Sequence, residues 1–477
     1  MDSLKKLLSN WTYRYMTPYG KVTILRSLAL SKLSHIALVI PNPSKTMIKH
    51  LETTMYNFLW NNKSEKVCRN DAKLPENLGG LNVPNVENFW TAFKFSWVRR
   101  MLHTKSFWPQ LIQHQINVQL GYEISLPEIL ELGPSLIEAI GKNMKNKFWK
   151  ETFQSITTVT NAYLYRYPER FTRSSFWYNP LIKRNNKIIK LNDFPEISKK
   201  VCCVGDFLCP HTNTLMTYQC FLNKYSIHIS EDRYIDIRYI IQLALQKIGF
   251  PFNKIDTICY PNRPLIIEIS AMTMKGCAKY SQLLNYKSNI SNKVYRRDER
   301  WHQELQLIYS TNFWEKTRIL CASMLYENPV KWLQYQIIRN SLQTNYIVSH
   351  FKASVSPLCT FCQSNDEKIS HLFWLCPKTS EFLEEVFELV NSTDLHFSPN
   401  MSEFLFGYLN KDSNDPVNYI SLHLKKFIWT SKFRNKVLNF VGFRYYFKNV
   451  LTELKVLLEI REKKNNFNVW VELYNVL

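Results

Sequence analysis

The spacing C-x2-C-x8-H-x4-C, formed by Cys359, Cys362, His371 and Cys376, constrains this chain more than any other feature. Three thiolates and one imidazole fill a tetrahedral Zn2+ shell, and a two-residue gap lets both sulfurs of one tight turn reach the same ion. Four protein ligands leave no open coordination position, so such a metal is structural. It does not activate water, and its binding energy goes into folding a knuckle (359–376) that lacks the residues for its own core. The competing arrangement is three buried cysteines beside a helix histidine. The flanking residues favour the metal: Asp366 is placed to cap a short helix carrying His371, Leu372 to Leu375 offer apolar cover, and Pro377 ends that helix.

Charge narrows the partner. Lys and Arg outnumber Asp and Glu by 61 to 39, a formal charge of +22, and the pI is near 9.4. An excess of this size is neutralised most readily by a polyanion, so RNA or DNA is the expected partner, with a merely solvated basic surface as the alternative. The cations cluster beside aromatics. Lys142, Lys145, Lys147 and Lys150 flank Phe148 and Trp149; Lys183, Arg184, Lys187 and Lys190 follow Phe176, Trp177 and Tyr178; Lys425, Lys426, Lys432, Arg434 and Lys436 surround Phe427, Trp429 and Phe433. That combination tracks phosphates while holding bases on aromatic faces, although most of the 13 tryptophans belong to cores.

MDSLKKLLSNW lacks the long apolar run and cleavage site of a signal peptide. Arg26, Lys32 and His35 break the apolar segment from Val22 to Ile40, which reads as an amphipathic helix; no membrane span and no membrane partner is expected. Eleven cysteines, an odd number, scattered without a signal sequence indicate thiols and metal ligands in a reducing, intracellular setting.

The length suggests two to four domains in a mainly α chain. Residues 1–103 read as a helical bundle: Thr17 caps and Pro18 starts one helix that Pro41 stops, Asn42 and Pro43 repeat the device for a helix to about Trp60, and the Gly79-Gly80 turn and the cap Asn85 lead into a third ending near Arg99 and Arg100. Ile24, Leu28, Leu51, Met55, Phe58, Phe89 and Phe93 are its candidate packing positions. Residues 104–295 mix helix with short β-like pieces such as Lys187 to Ile189 and Val201 to Phe207, and residues 296–477 return to helix around the knuckle. There is no internal repeat and no glycine-rich phosphate loop. Cys202, Cys203, Cys209, His211 and Cys220 form a second cluster, but adjacent cysteines rarely share one structural zinc, and VCCVGDFL reads as a buried strand.

WTYRYMTPYGKVTILRSLALSKLSHIALVIPNP, FLW at Phe58 to Trp60, LGGLNVPN at Leu78 to Asn85, FWYNPLIK, VGDFL, IIRNSLQTNYIVSHFKASVSPLCTFC and SHLFWLC follow one another along the chain. This ordered set resembles the part of LINE-type (non-LTR) retrotransposon reverse transcriptases that follows the palm, and the resemblance spans essentially the whole chain. It implies that residues 1–103 are the polymerase thumb, with Lys21 and Arg26 as candidate phosphate contacts, and that 104–295 is the connecting region. It also implies that 296–477 is the C-terminal domain that helps to bind element RNA or target DNA. Cys359, Cys362, His371 and Cys376 correspond one by one to that family's zinc ligands. Upstream palm and endonuclease domains are implied as partners, and a ribonucleoprotein in nucleus and cytoplasm as the location.

Nucleotidyl transfer needs clustered aspartates around two Mg2+ ions, and no Asp-Asp pair occurs here. The expectation is therefore a chain without catalytic residues or a Mg2+ site, carrying one structural zinc, as the C-terminal portion of a longer polyprotein or a truncated copy. The opening MDSLKKLLSN falls within what resembles a thumb helix, which agrees with that expectation. The alternative reading is a decayed or domesticated protein-interaction module, and an enzyme completed by a palm supplied in trans is a third.

Overall fold

The computed structural model describes residues 2–103, 107–121, 123, 125, 134–209, 214–250, 265–272, 277–285, 296–306, 308–323, 327–393, 395, 397–412, 415–460 and 470–477. Helices dominate, and among the described residues the only sheet is one two-stranded hairpin. The fold is mainly α, as the helical periodicity predicts. The chain divides into two compact units: Met1–Arg14, Val22–Leu74 and Asn82–Ile290 form one, and Tyr15–Lys21, Pro75–Leu81 and Ser291–Leu477 form the other.

In the first unit the Lys45–Trp60 helix is capped by Ser44, whose hydroxyl accepts the Met47 N–H at 3.2 Å. The expected cap, Asn42, instead donates its backbone N–H to Glu151 at 2.6 Å. Ser44 wins because it directly precedes the first helical turn, where a side-chain oxygen reaches the orphan amides. The third helix spans Val86–His103, and Asn85 Oδ1 accepts the Asn88 N–H as expected.

The helix that starts at Pro18 contains a π turn at Leu25–Ala29, closed by the Leu30 N–H on the Leu25 carbonyl. One extra residue in that turn rotates the apolar stripe. Leu25 and Ala29 are buried, whereas Ile24 and Leu28, placed by regular periodicity, are half-buried. Leu51, Met55, Phe58 and Phe89 are buried as expected, and Phe93 is half-buried. By length and composition alone the Pro18–Val39 helix is long and apolar enough to cross a membrane, although Lys21, Arg26 and Lys32 interrupt it.

The Lys147–Arg166 helix packs on Pro134–Lys142 and on Val86–His103, so Phe95 and Val98 share one core with Ile112, Phe153 and Ile156. Gly141 permits the close approach, because a Cβ there would overlap Phe153 Cβ. Lys183–Arg184 pairs antiparallel with Lys187–Ile188 through Asn185 and Asn186, both at positive φ, as a two-residue hairpin turn requires. VCCVGDFL is not a strand: apart from single bridges at Cys203 and Leu208 it forms a 3-10 turn over Val204–Phe207. Asp206 enforces that turn by accepting the Cys202 and Cys203 N–H groups at 2.8 and 2.9 Å.

In the second unit the expected return to helix from Arg296 is made by Arg296–Leu305, Thr311–Ser323 and Asn328–Ile338. Buried Trp301 donates Nε1–H to the carbonyls of Ile337 and Ile338, and its ring stands edge-on to Phe406 with centroids 5.1 Å apart. The Asn328–Ile338 helix packs on Pro416–Phe433, which packs on Phe440–Ile460. The Pro75–Leu81 segment is fastened here: Arg339 donates to the Gly79 carbonyl at 2.6 Å, and Lys331 pairs with Glu76 at 2.5 Å. Gly79 has φ of 79°, and a Cβ would lie 3.0 Å from Arg318 Cδ.

Candidate metal centre and basic clusters

The four candidate ligands meet in space. Cys359 Sγ, Cys362 Sγ, His371 Nε2 and Cys376 Sγ supply atoms that all lie within 4.8 Å of one another. Cys359 and Cys376 sulfurs are 3.8 Å apart, and Cys362 Sγ is 3.3 Å from His371 Nε2. A tetrahedral ion with Zn–S bonds of about 2.3 Å has sulfur–sulfur edges of about 3.8 Å, so the donor set and its size fit one Zn2+. Cys359, His371 and Cys376 are buried and Cys362 is half-buried, which suits a closed structural site rather than one open to substrate.

Local chemistry explains how each half of the cage forms. Cys359 N–H donates to the Asn365 carbonyl at 2.8 Å, Leu358 bridges Asp366, and Gln363 takes φ of 56° to close the turn. The Phe361 N–H points at Cys359 Sγ at 3.4 Å, a donor that stabilises negative charge on sulfur. Asp366 is therefore a bridge residue, not the expected cap. The helix carrying His371 is capped from afar by Glu304, which accepts the Ser370 N–H at 3.0 Å and its hydroxyl at 2.6 Å.

The H-x4-C spacing has its own cause. In a regular α-helix, residues five apart point about 140° away from each other, which would separate His371 from Cys376. Instead His371–Leu375 is a π turn, closed by the Cys376 N–H on the His371 carbonyl at 2.8 Å, and the wider turn brings the fifth residue back over the first. Pro377, expected only to end this helix, also opens the next at Pro377–Asn391, where a missing N–H costs nothing. Leu372 and Phe373 are buried, Trp374 is half-buried and Leu375 is 58 % exposed, so not all of the expected apolar cover is turned inward. Within the cage, Cys359 donates to Cys376; that hydrogen bond, with the Thr379 and Lys378 N–H groups, holds the Cys376 thiol below its ordinary value against the effect of burial, while the Cys359 thiol is raised.

A carboxylate locks the knuckle to the rest of its unit. Glu367 is fully buried and accepts the Asn345 N–H at 2.8 Å, the Thr360 N–H at 2.8 Å and the Thr360 hydroxyl at 2.6 Å, and its fourth donor is the Lys432 ammonium at 2.5 Å. Lys432 also reaches Asn345 Oδ1 at 3.1 Å. Three segments distant in sequence converge on one carboxylate, and nothing in the spacing distinguishes Glu367 from an ordinary acidic loop residue.

The basic clusters divide. Lys145, Lys147, Lys183 and Arg184 are exposed, with Arg184 paired to Asp236 at 2.7 Å. Arg26 and Arg434 are also exposed, and Lys426 is half-buried. Lys21, Lys425 and Lys432 are not available to phosphates, because each is buried. Lys425 Nζ donates to Gln334 Oε1, the Phe404 carbonyl and the Leu405 carbonyl at 2.5, 2.8 and 3.2 Å, and burial pushes its pKa down to about 7. Phe148, Trp149, Phe176 and Trp177 are core rather than stacking surfaces, whereas Phe433 is 66 % exposed. Of the second cysteine cluster, His211 lies outside the described residues, and burial with the Asp206 carboxylate pushes the Cys203 thiol up to about 12. Among the described residues only the Cys359 group assembles as a possible metal cage.

Residues 305–382 match a family model described as zinc-binding in reverse transcriptase. The matched segment contains all four ligands, Glu367 and the Asn328–Ile338 helix. No curated protein matches the chain.

Proposed function

We propose that this chain, with its reverse-transcriptase-type zinc segment, is a nucleic-acid-binding portion of a LINE-type retrotransposon reverse transcriptase that contributes no catalytic residues. The observation that carries the reading is the closed Cys3His cage inside the matched segment of a chain with formal charge +22. A sealed zinc of this kind organises a surface and performs no chemistry. The exposed cations Lys145, Lys147, Lys183, Arg184 and Arg434 supply candidate phosphate contacts, and the ordered motifs around the knuckle support the LINE type. RNA or single-stranded DNA is the expected partner, with palm and endonuclease domains acting beside this chain where they are expressed together. Filter binding on RNA and single-stranded DNA tests this: affinity should fall steeply with salt because binding releases counterions. Absent or salt-independent binding would remove the reading, as would Mg2+-dependent primer extension by the chain alone.

A further inference from the structure

A groove of about 500 Å3 lies beside the knuckle, lined by the Arg296–Leu305 helix, the Asn345–Ser349 helix and the start of the helix that carries His371. Phe351 is 66 % exposed, and exposed rings beside cations are the composition of a base-stacking platform. The His350 ring stands edge-on to Tyr346 with centroids 4.8 Å apart, and Lys368 Nζ lies 5.2 Å over the Tyr346 ring. Arg300, exposed, lines the groove as well. The one carboxylate among the lining residues, Glu304, is already engaged by Ser370 and Asn340, so it leaves the cations unpaired with it. Thr344 is fully buried in the lining, and its hydroxyl has no partner among the described residues although it precedes a helix that it does not cap. A buried hydroxyl left this way marks a polar spot in an otherwise packed wall of the groove.

We propose that this groove holds one unpaired nucleotide of a single-stranded nucleic acid, its base against Phe351 and Tyr346 and its phosphate on Arg300 and Lys368. The inference rests on the nucleic-acid reading above and gives it a place. A duplex does not fit the chemistry, because its bases are already stacked and their faces unavailable to a ring. An apolar peptide would bring no counter-charge for Arg300 and Lys368.

The test is fluorescence anisotropy on the full, zinc-loaded chain with labelled twelve-residue oligo-U RNA, oligo-dT DNA and a duplex of equal length. Phe351→Ala should weaken binding in at least one single-strand arm about tenfold, leave duplex binding and zinc content unchanged, and lose its effect when the oligonucleotide is abasic. Arg300→Gln, on an exposed helix position, should lower the salt slope for the single strand by about 0.7, and it keeps the inference testable if the Phe351 variant loses zinc. Wild-type binding with both variants indistinguishable from it overturns the groove and leaves the broader reading standing. A wild-type chain that binds no strand overturns both.

Discussion

Glu367→Gln is the sharpest perturbation of the knuckle's setting. The substitution keeps the shape of the side chain but removes its charge and turns one acceptor into a donor. Glu367 now accepts from two backbone N–H groups, one hydroxyl and one ammonium, all inside the fold. A glutamine Nε2–H2 would face one of those donors, and the Lys432 ammonium, 7 % exposed, would lose its counter-charge. Removing one member of a buried pair costs about 3–5 kcal/mol, or roughly two to four powers of ten in the folding equilibrium. Lys432→Met is the informative comparison. It also strands a buried charge, but leaves the carboxylate three hydrogen-bond donors, so its cost falls at the lower end of the same range, about 3 kcal/mol. Urea unfolding read by zinc release to a chromophoric chelator reports on this unit alone. The expected order is wild type, then the Lys432 variant, then the Glu367 variant, and the double variant Glu367→Gln/Lys432→Met should be less damaged than the sum of the two. Equal costs for the two single variants, or a Glu367→Gln cost below about 1 kcal/mol, would show that the carboxylate does not anchor the knuckle.

Two further outcomes follow from the same unit. Metal analysis should find one zinc per chain, and Cys376→Ser should abolish it together with the cooperative unfolding of the C-terminal unit, since the ion's binding energy is folding energy there; full zinc with undisturbed unfolding would refute the cage. Lys425, whose folded pKa is lowered to about 7 from an ordinary 10.5, binds fewer protons folded than unfolded between those values. Stability of its unit should therefore climb as pH rises from about 7 towards 10 and be flat below that window; the check is the urea midpoint against pH, in which Lys425→Met should erase the slope.

The metal cage was legible because its ligands are rare residue types at constrained intervals, and chemistry alone limits what such a set does. The cap at Asn85 and the start at Pro18 were legible for a similar reason, as local signals that act on their own neighbours. The cap before the second helix was misplaced by two residues, because Asn42 and Ser44 are both competent and only the position of the first helical turn, directly after Ser44, decides between them. The π turns at Leu25–Ala29 and His371–Leu375 were invisible to a periodicity of 3.6. The resemblance misled at Lys21, and the basic clusters misled at Lys425 and Lys432 for a physical reason. A lysine beside aromatics suits a phosphate-binding face and a buried site with carbonyl acceptors equally well, and only the tertiary partners tell them apart. Tyr346, Phe351 and Arg300 escaped notice because they are scattered over 52 positions of sequence, and the groove exists only once the helices are assembled.

Cys376 stands at a junction. It is the last of the four sulfur and nitrogen donors, and its carbonyl also accepts the Thr379 and Ser380 N–H groups that begin the Pro377–Asn391 helix. A bond from its sulfur to a zinc ion would therefore fix the start of a fifteen-residue rod that rests on Phe440–Ile460. An ion at that end would act as a thrust bearing, opposing fraying of the rod's first turn.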